Sequence, residues 1–530
     1  MRNLNEIANF VDPNASMTLN EAGGLAYKLS PKEALAQLAA TGCLSQTFYA
    51  NEVDQLKSIL ELTSDSVVDD EFLAKLALYA RVKGFMKDMP AVLCAILASR
   101  KSPLLDKVFP VVIDNGKMLR NFVMAVRSGV TGRKSFGSTV RRLIRNWFDA
   151  RTEQQIFNSS IGNNPSMADV VKMVHPTPKT PQREAMFGYL IGKPYDESQL
   201  PQAIVEYIHL LKTGVDENAV VPDVPFQYLT SLELTTNQWK TIAQNASWQT
   251  TRMNLNTFLR HGVFEDKELV SKIAARLRNE EEIRRAKAFP YQLMTAYMNA
   301  SEEVPSDVRL ALQDAMEIAT DNVPVIDGLV ALCVDVSGSM SSSVTGYRRG
   351  ATSAVKCVDV AGLMASCILR QNPNSVVIPF EFDVQSCSLN PRDSVITNAQ
   401  KLAALCGGGT NCSSAMKYIV ENNINPDVVI YISDNESWID TNSNRSWNNC
   451  TQTVAYWDKL RQSKPNARLI NIDIQPYAST QTLNRADIAN VGGFSDVVFD
   501  FVAQFAQGLS PQHWVEQIEQ VNLEEQGSNR

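Results

Sequence analysis

Residues Leu329-Val-Ala-Leu-Cys-Val-Asp335-Val-Ser337-Gly-Ser339-Met340 decide how this chain is read. The apolar run LVALCV predicts a buried strand, and it ends where one acid and two hydroxyls project. Small oxygen donors at alternate positions, freed by a glycine turn, suit a hard divalent cation such as Mg²⁺ that keeps part of its water shell. Two later stretches complete the pattern. Gly407-Gly408-Gly409-Thr410 supplies a hydroxyl at the mouth of a helix, and Ser433-Asp434 supplies a second carboxylate after the apolar run VVIYIS. The expected metal set is therefore Asp335, Ser337, Ser339, Thr410 and Asp434, with Glu436 as a supporting group. Helix capping accounts for any one of these residues but not for all five in this order.

Working outward, the linker TDNVPVIDG at 320–328 separates two textures. Beyond it the runs LVALCVDV, SVVIPFEFD, VVIYISD and ARLINIDI alternate with the helical stretches SAVKCVDVAGLMASCILRQ, SSAMKYIVENN and VAYWDKLRQ. Strand, helix, strand in series predicts a parallel sheet with right-handed crossovers, a doubly wound α/β domain. Ligands of such a sheet sit at the carboxyl ends of its strands, where Asp335 and Asp434 fall. Before the linker, from about 30 to 320, apolar residues recur at three and four positions in KEALAQLAA, DEFLAKLALYARVKGF, GSTVRRLIRNWF, QAIVEYIHLLKTG and DKELVSKIAARLRN. Short helices separated by Gly, Pro and Asn predict antiparallel helix pairs in a degenerate HEAT-like solenoid, whose concave or ring-shaped surface suits an extended ligand. The expected domains are 1–325 for the helical module, 326–522 for the α/β domain and 523–530 for a frayed tail.

At 530 residues, with 44% hydrophobic and 20% charged residues, the chain is long enough for two or three cores. No apolar run approaches the roughly 18 residues of a membrane span, and MRNLNEIANF lacks a signal-peptide core, so a cytoplasmic protein without membrane partners is expected. The nine cysteines are odd in number and include no C-x-x-C pair, against both a disulfide scaffold and a structural zinc site.

The net charge of −7 argues against nucleic acid, but its distribution argues for it. Residues 116 to 151 carry Lys117, Arg120, Arg127, Arg133, Lys134, Arg141, Arg142, Arg145 and Arg151 against the single acid Asp149. A local patch attracts phosphate even on an acidic chain, because charges farther than about 8 Å are largely screened at physiological salt. In GSTVRRLIRNWF a helix buries Val140, Leu143, Ile144 and Trp147 and leaves Arg141, Arg142 and Arg145 on the other face. An ordinary solvated face mixes signs, and here Asp149 is the one acid nearby in sequence. With the preceding loop Arg133-Lys134-Ser135, this face is the expected RNA contact. His175 in KMVHPTP is by itself more often structural, with Lys172 three residues earlier on the same helical face.

A helical module followed by this α/β domain resembles the Ro ribonucleoprotein family, in which a TROVE module precedes a von Willebrand factor A domain. The strings GCLSQTFYA, SGVTGRKSFGSTVRRLIRNWF, DVVKMVHPTP, MNLNTFLRHGVF, AKAFPYQLMTAYM, DVSGSM, GGGTNC, SDNES and VGGFSDVVFDF carry the resemblance, from about residue 20 to 510. It implies a bacterial-type member whose helical module closes into a ring. It further implies Y RNA on the outer surface, including His175, and single-stranded ends of misfolded or precursor RNA in the central hole, with a nuclease such as an exoribonuclease as partner. The D-x-S-x-S, Thr, Asp order resembles the metal-ion-dependent adhesion site of A domains, which a partner's carboxylate completes.

The expected function is a non-catalytic RNA-binding scaffold. The rival is a Mg²⁺-dependent RNA hydrolase using Asp335 and Asp434; a single site built mostly from hydroxyls, without a second metal cluster or an adjacent His base, is poor for that chemistry. No G-x-x-x-x-G-K-[ST] is present, so an ATPase is not expected. An adhesion or chelatase subunit leaves the arginine-rich helix unexplained.

Overall fold

The computed structural model describes residues 17–41, 52–84, 86–213, 220–230, 232–286, 288, 290–323, 325–344, 355–439, 450–494, 496–508 and 514–524. It divides into two compact units, one of Met1–Asp69, Glu280–Asn299 and Leu312–Gln520, the other of Asp70–Asn279, Ala300–Ala311 and Val521–Arg530. No helix among the described residues is long and apolar enough to cross a membrane.

The unit spanning Asp70–Asn279 is helical among its described residues, with helices such as Asp70–Val82, Met89–Ser99, Gly116–Arg127, Ser138–Asp149, Met167–Val174 and Lys267–Leu277. Polar residues start many of them. Asn115 accepts from the Met118 amide, and Thr152, Ser166 and Thr235 each close a capping box, satisfying amides that a helix start leaves unpaired. The three-and-four spacing places the apolar stripe of Ser138–Asp149 inward: Val140, Leu143, Ile144, Trp147 and Phe148 are buried. Trp147 and Phe187 both pack edge-on against Phe148. Burial of each such ring stabilises the unit by about 1.5–3 kcal/mol.

The other unit is built on a five-stranded sheet whose strands lie in the spatial order Val376–Phe380, Val330–Asp335, Val428–Ser433, Arg468–Asp473 and Ile488–Gly492, with every pairing parallel. Its strands are β3 (Val330–Asp335), β4 (Val376–Phe380), β5 (Val428–Ser433), β6 (Arg468–Asp473) and β8 (Ile488–Gly492). β3 and β5 are buried along their whole length, which is why they read as unbroken apolar runs rather than alternating ones. Cys333, Phe380, Tyr431 and Trp457 fill the core on one face. The chain steps from β3 to β4 on one side and returns to β5 on the other. β3 and β5 therefore flank the switch point of the sheet, and the carboxyl ends of adjacent strands splay there into a crevice.

Two features escaped the sequence reading. The fifth strand β8, IANVG, is short and carries a polar Asn490 at its centre. A small antiparallel sheet, ordered β1-β2-β7, joins β1 (Met17–Leu19) and β2 (Leu25–Lys28) to β7 (Ser479–Thr480), with Tyr27 opposite Thr480. The helix Pro31–Thr41 then packs on β8, where a Cβ on Gly492 would come within 2.4 Å of the Gln37 side chain. The change of texture near 325 follows the switch from helix to strand. Packing instead groups the amino-terminal hairpin and its helix with the sheet.

Candidate functional site

At the switch point the segments that carry the five expected metal donors come together. Asp335 closes β3 and is fully buried; its Oδ1 accepts the Ser337 amide at 2.8 Å, and its Oδ2 accepts the Ser433 hydroxyl at 2.6 Å. The Ser337 and Ser339 hydroxyls lie 3.1 Å apart. The glycine loop is sewn to the same turn, with the Gly407 amide on the Val336 carbonyl at 2.8 Å and the Gly338 amide on the Gly408 carbonyl at 3.1 Å. Gly408 has φ +69°, and a Cβ there would collide with the Glu381 carboxylate, so the loop needs glycine to pass. Thr410 and Asp434 are each only 2% exposed. Asn411 caps the Cys412–Glu421 helix by accepting the Ser413 amide at 3.2 Å, and its Nδ2 donates to the Phe382 carbonyl at 3.1 Å, a bond that a carboxylate there could not make.

The electrostatics are those of a cation cradle. Burial, then the charge of Asp335, pushes Asp434 up to about 7. Burial likewise raises Asp335 against the lowering effect of the Ser337 and Ser433 hydrogen bonds. Glu436 is pushed up to about 9, first by burial and then by Asp434. The Asp434 Oδ2 is buried with no hydrogen-bond partner among the described residues. An orphaned carboxylate oxygen beside buried hydroxyls fits a hard divalent ion. The donor set is two carboxylates and three hydroxyls. No cluster of three or more His, Cys, Asp or Glu side chains able to hold a metal occurs among the described residues. Ser433, which orients Asp335, was missed in sequence because it lies on a different strand, yet its place before Asp434 was the available signal.

The helical unit holds the expected RNA residues. Lys117, Arg127, Lys134, Ser135, Arg141, Lys172 and His175 are exposed. Of the cations among them, none forms an ion pair among the described residues. Arg145 Nε donates to the Val174 carbonyl at 2.8 Å, tying the Ser138–Asp149 helix to the end of Met167–Val174, so Arg145, Lys172 and His175 are brought together. His175 ends that helix at φ 47°, ψ 64°, a left-handed conformation uncommon for a residue other than glycine. Asp169 is lowered by its Ser166 hydrogen bonds and further by the positive Lys172 and Arg127, which places both cations near one carboxylate.

Other arginines are already engaged. Arg120 donates to the Ser159 carbonyl at 2.9 Å, and Arg133 to the Ala98 and Ser135 carbonyls at 2.8 Å each. Arg151 holds the Trp147 and Asp114 carbonyls while its guanidinium lies 3.6 Å from the Trp147 ring centroid. The absence of acidic partners expected along the helix needs correction. Arg142 pairs with both oxygens of Asp106 at 2.8 Å, and Asp149 pairs with Lys179 at 2.7 Å. Asp106 comes from the Leu105–Val112 helix, 36 residues away, beyond the reach of any local reading. His261 stacks on Trp239 with centroids 4.0 Å apart, consistent with a structural role.

Three comparisons bear on this arrangement. A family model described as the Ro60 vWA domain matches residues 329–506. The chain is 23% identical over 523 residues to a protein of Deinococcus radiodurans named RNA-binding protein RO60, across 92% of this chain and 95% of the relative. It is 26% identical over 269 residues to the RNA-binding protein RO60 of Caenorhabditis elegans, across 46% of this chain and 41% of the relative. The crystal structure of the Deinococcus radiodurans RO (RSR) protein shares the fold, with a TM-score of 0.60 and 18% identity over 90% of this chain and all of that one. The resemblance read from sequence strings is matched by these findings: residues 329–506 fit the Ro60 vWA domain, and the chain is similar to the Deinococcus radiodurans RO60 protein over most of its length.

Proposed function

We propose that this protein is a non-catalytic RNA-binding scaffold of a Ro ribonucleoprotein, acting in the cytoplasm in quality control or processing of noncoding RNA. The observation that carries the reading is the group of exposed cations on the Gly116–Arg127, Ser138–Asp149 and Met167–Val174 helices, where Arg127, Arg141, Arg145 and Lys172 stand clear of ion pairs among the described residues. Phosphate contacts dominate RNA affinity and need such charges free of acids. Relatives named RNA-binding proteins support the same reading. The RNA on this face is a small Y RNA; single-stranded ends of misfolded or precursor RNA enter the hole of the ring, and an exoribonuclease joins as partner.

In the α/β domain, Asp335, Ser337, Ser339, Thr410 and Asp434 hold a divalent cation, Mg²⁺ by the hardness of the donors. The bound ion supplies an anchor for a carboxylate on a partner protein. Asp335 and Asp434 balance its charge, while Ser433 and the Ser337 amide fix the Asp335 carboxylate.

Labelled RNA incubated with the purified protein and Mg²⁺ tests this. Intact RNA in a shifted band, weakened by Arg141→Glu and Lys172→Glu, is expected. RNA cleavage that disappears in Asp335→Ala would replace the scaffold with a Mg²⁺-dependent hydrolase.

A further inference from the structure

The loop that carries Asp434 does not stand alone: the amino-terminal hairpin holds it from behind. Between β1 and β2, residues 20–24 form a tight turn in which the Asn20 side chain accepts the Gly24 amide at 2.6 Å and donates to the Ser437 carbonyl at 2.8 Å. The Ala22 amide donates to the Glu436 carboxylate at 3.0 Å. Gly24 lies so close that a Cβ there would come within 2.0 Å of the Ser437 carbonyl oxygen. Ser437 in turn accepts the Cys412 amide on its hydroxyl at 3.2 Å and donates to the Thr410 carbonyl at 3.5 Å. One turn more than 400 residues away in sequence therefore grips the two positions after Asn435, and through Ser437 it reaches the segment carrying the Thr410 donor. The pairing of β2 with β7 and the burial of Asn20 and Tyr27 anchor the grip.

We propose that the Asn20–Gly24 turn is a positioning clamp for the metal centre, setting the Asp434–Ser437 loop so that Asp434 and Thr410 point at a common ion. Asn20 and Gly24 act through Ser437, and Ala22 acts through Glu436. Metal ligands depend on the hydrogen-bonded shell behind them for orientation. The clamp lies outside residues 329–506, the stretch matched as the A domain, so that domain borrows part of its metal loop's support from the start of the chain. The inference rests on the metal reading above.

Titration of the full-length protein with Mn²⁺, following the free-ion paramagnetic resonance signal, tests it on Asn20→Ala, Asn20→Asp and Gly24→Ala, with thermal unfolding measured alongside. Asn20→Ala should weaken Mn²⁺ binding about tenfold, the lower end of what outer-shell losses cost. Asn20→Asp keeps the acceptor for Gly24 but loses the donor to Ser437, and it should match Asn20→Ala. If both variants unfold earlier yet bind Mn²⁺ as the parent does, the turn is merely structural and the clamp is refuted. Parental affinity in Asn20→Asp alone reduces Asn20 to a local turn former and equally refutes it. Should Gly24→Ala fail to fold, the Asn20 pair decides. A parent protein that takes up no Mn²⁺ sinks the metal reading itself. Uptake by the parent that Asp335→Ala abolishes, but Asn20→Ala does not alter, sinks only the clamp.

Discussion

The proposed metal crevice and the cationic helix face place charge in opposite ways. In the crevice, acids sit fully buried at strand ends, their geometry fixed by backbone amides and neighbouring hydroxyls. On the helices, cations sit at the surface, and their roles are set by whichever carbonyl or carboxylate another helix brings near. Burial makes the first a site of large pKa displacement that a bound cation would relieve; exposure suits the second to additive, salt-sensitive contacts. The acids of the buried crevice are written in short motifs at strand ends, whereas what each surface cation does depends on the tertiary neighbours brought to it.

Four expected outcomes break or sharpen this contrast, beginning with the largest. Asp335→Ala should lower Mn²⁺ affinity by at least about a hundredfold in isothermal titration, because it removes a ligand and leaves Ser337 and Ser433 unanchored. Wild-type affinity in that variant would dissolve the crevice as a metal centre.

Next, Arg141→Glu and Lys172→Glu should each weaken RNA binding and lower the slope of log affinity against log salt by about one, the share of a single phosphate contact. A slope unchanged in both variants would remove the face from the interface.

The third outcome concerns pH. Asp434 is raised above its ordinary carboxylate range, so its contribution to metal-free stability is present at low pH and is lost as pH rises through about 7. Added Mg²⁺ should therefore raise the melting temperature more at pH 8 than at pH 5. Equal stabilisation at both values would mean that Asp434 does not compete between proton and cation.

The smallest effects separate engaged from available arginines. Arg142→Met should change RNA affinity less than Arg141→Met does, since Asp106 already neutralises Arg142, and it should cost no more than about 1 kcal/mol of stability as an exposed pair. Filter binding and denaturant melts on the two variants check this, and the reverse ranking would contradict the assignment.

What the sequence made legible follows the same division. That Asp335 and Asp434 stand at neighbouring strand ends was readable because apolar runs mark those ends and parallel topology then brings them together. The Arg141, Arg142 and Arg145 face was readable from helical spacing alone. The partners were not: Asp106 on Arg142 and the Val174 carbonyl on Arg145 are long-range contacts without a local signature. Nor was the hairpin, since β1 and β2 are three and four residues long and find their third strand about 450 positions later. The string GCLSQTFYA, which helped carry the family resemblance, lies at 42–50, outside the described residues.

The central claim is that RNA and cation occupy separate sites on separate compact units. The direct test measures both ligands on both variants: RNA affinity at fixed salt and Mn²⁺ affinity, each for Asp335→Ala and for Arg141→Glu combined with Lys172→Glu. The account predicts a crossed result, with metal lost and RNA retained in the first, RNA weakened and metal retained in the second. Loss of RNA binding in Asp335→Ala, with the protein still folded, would contradict it.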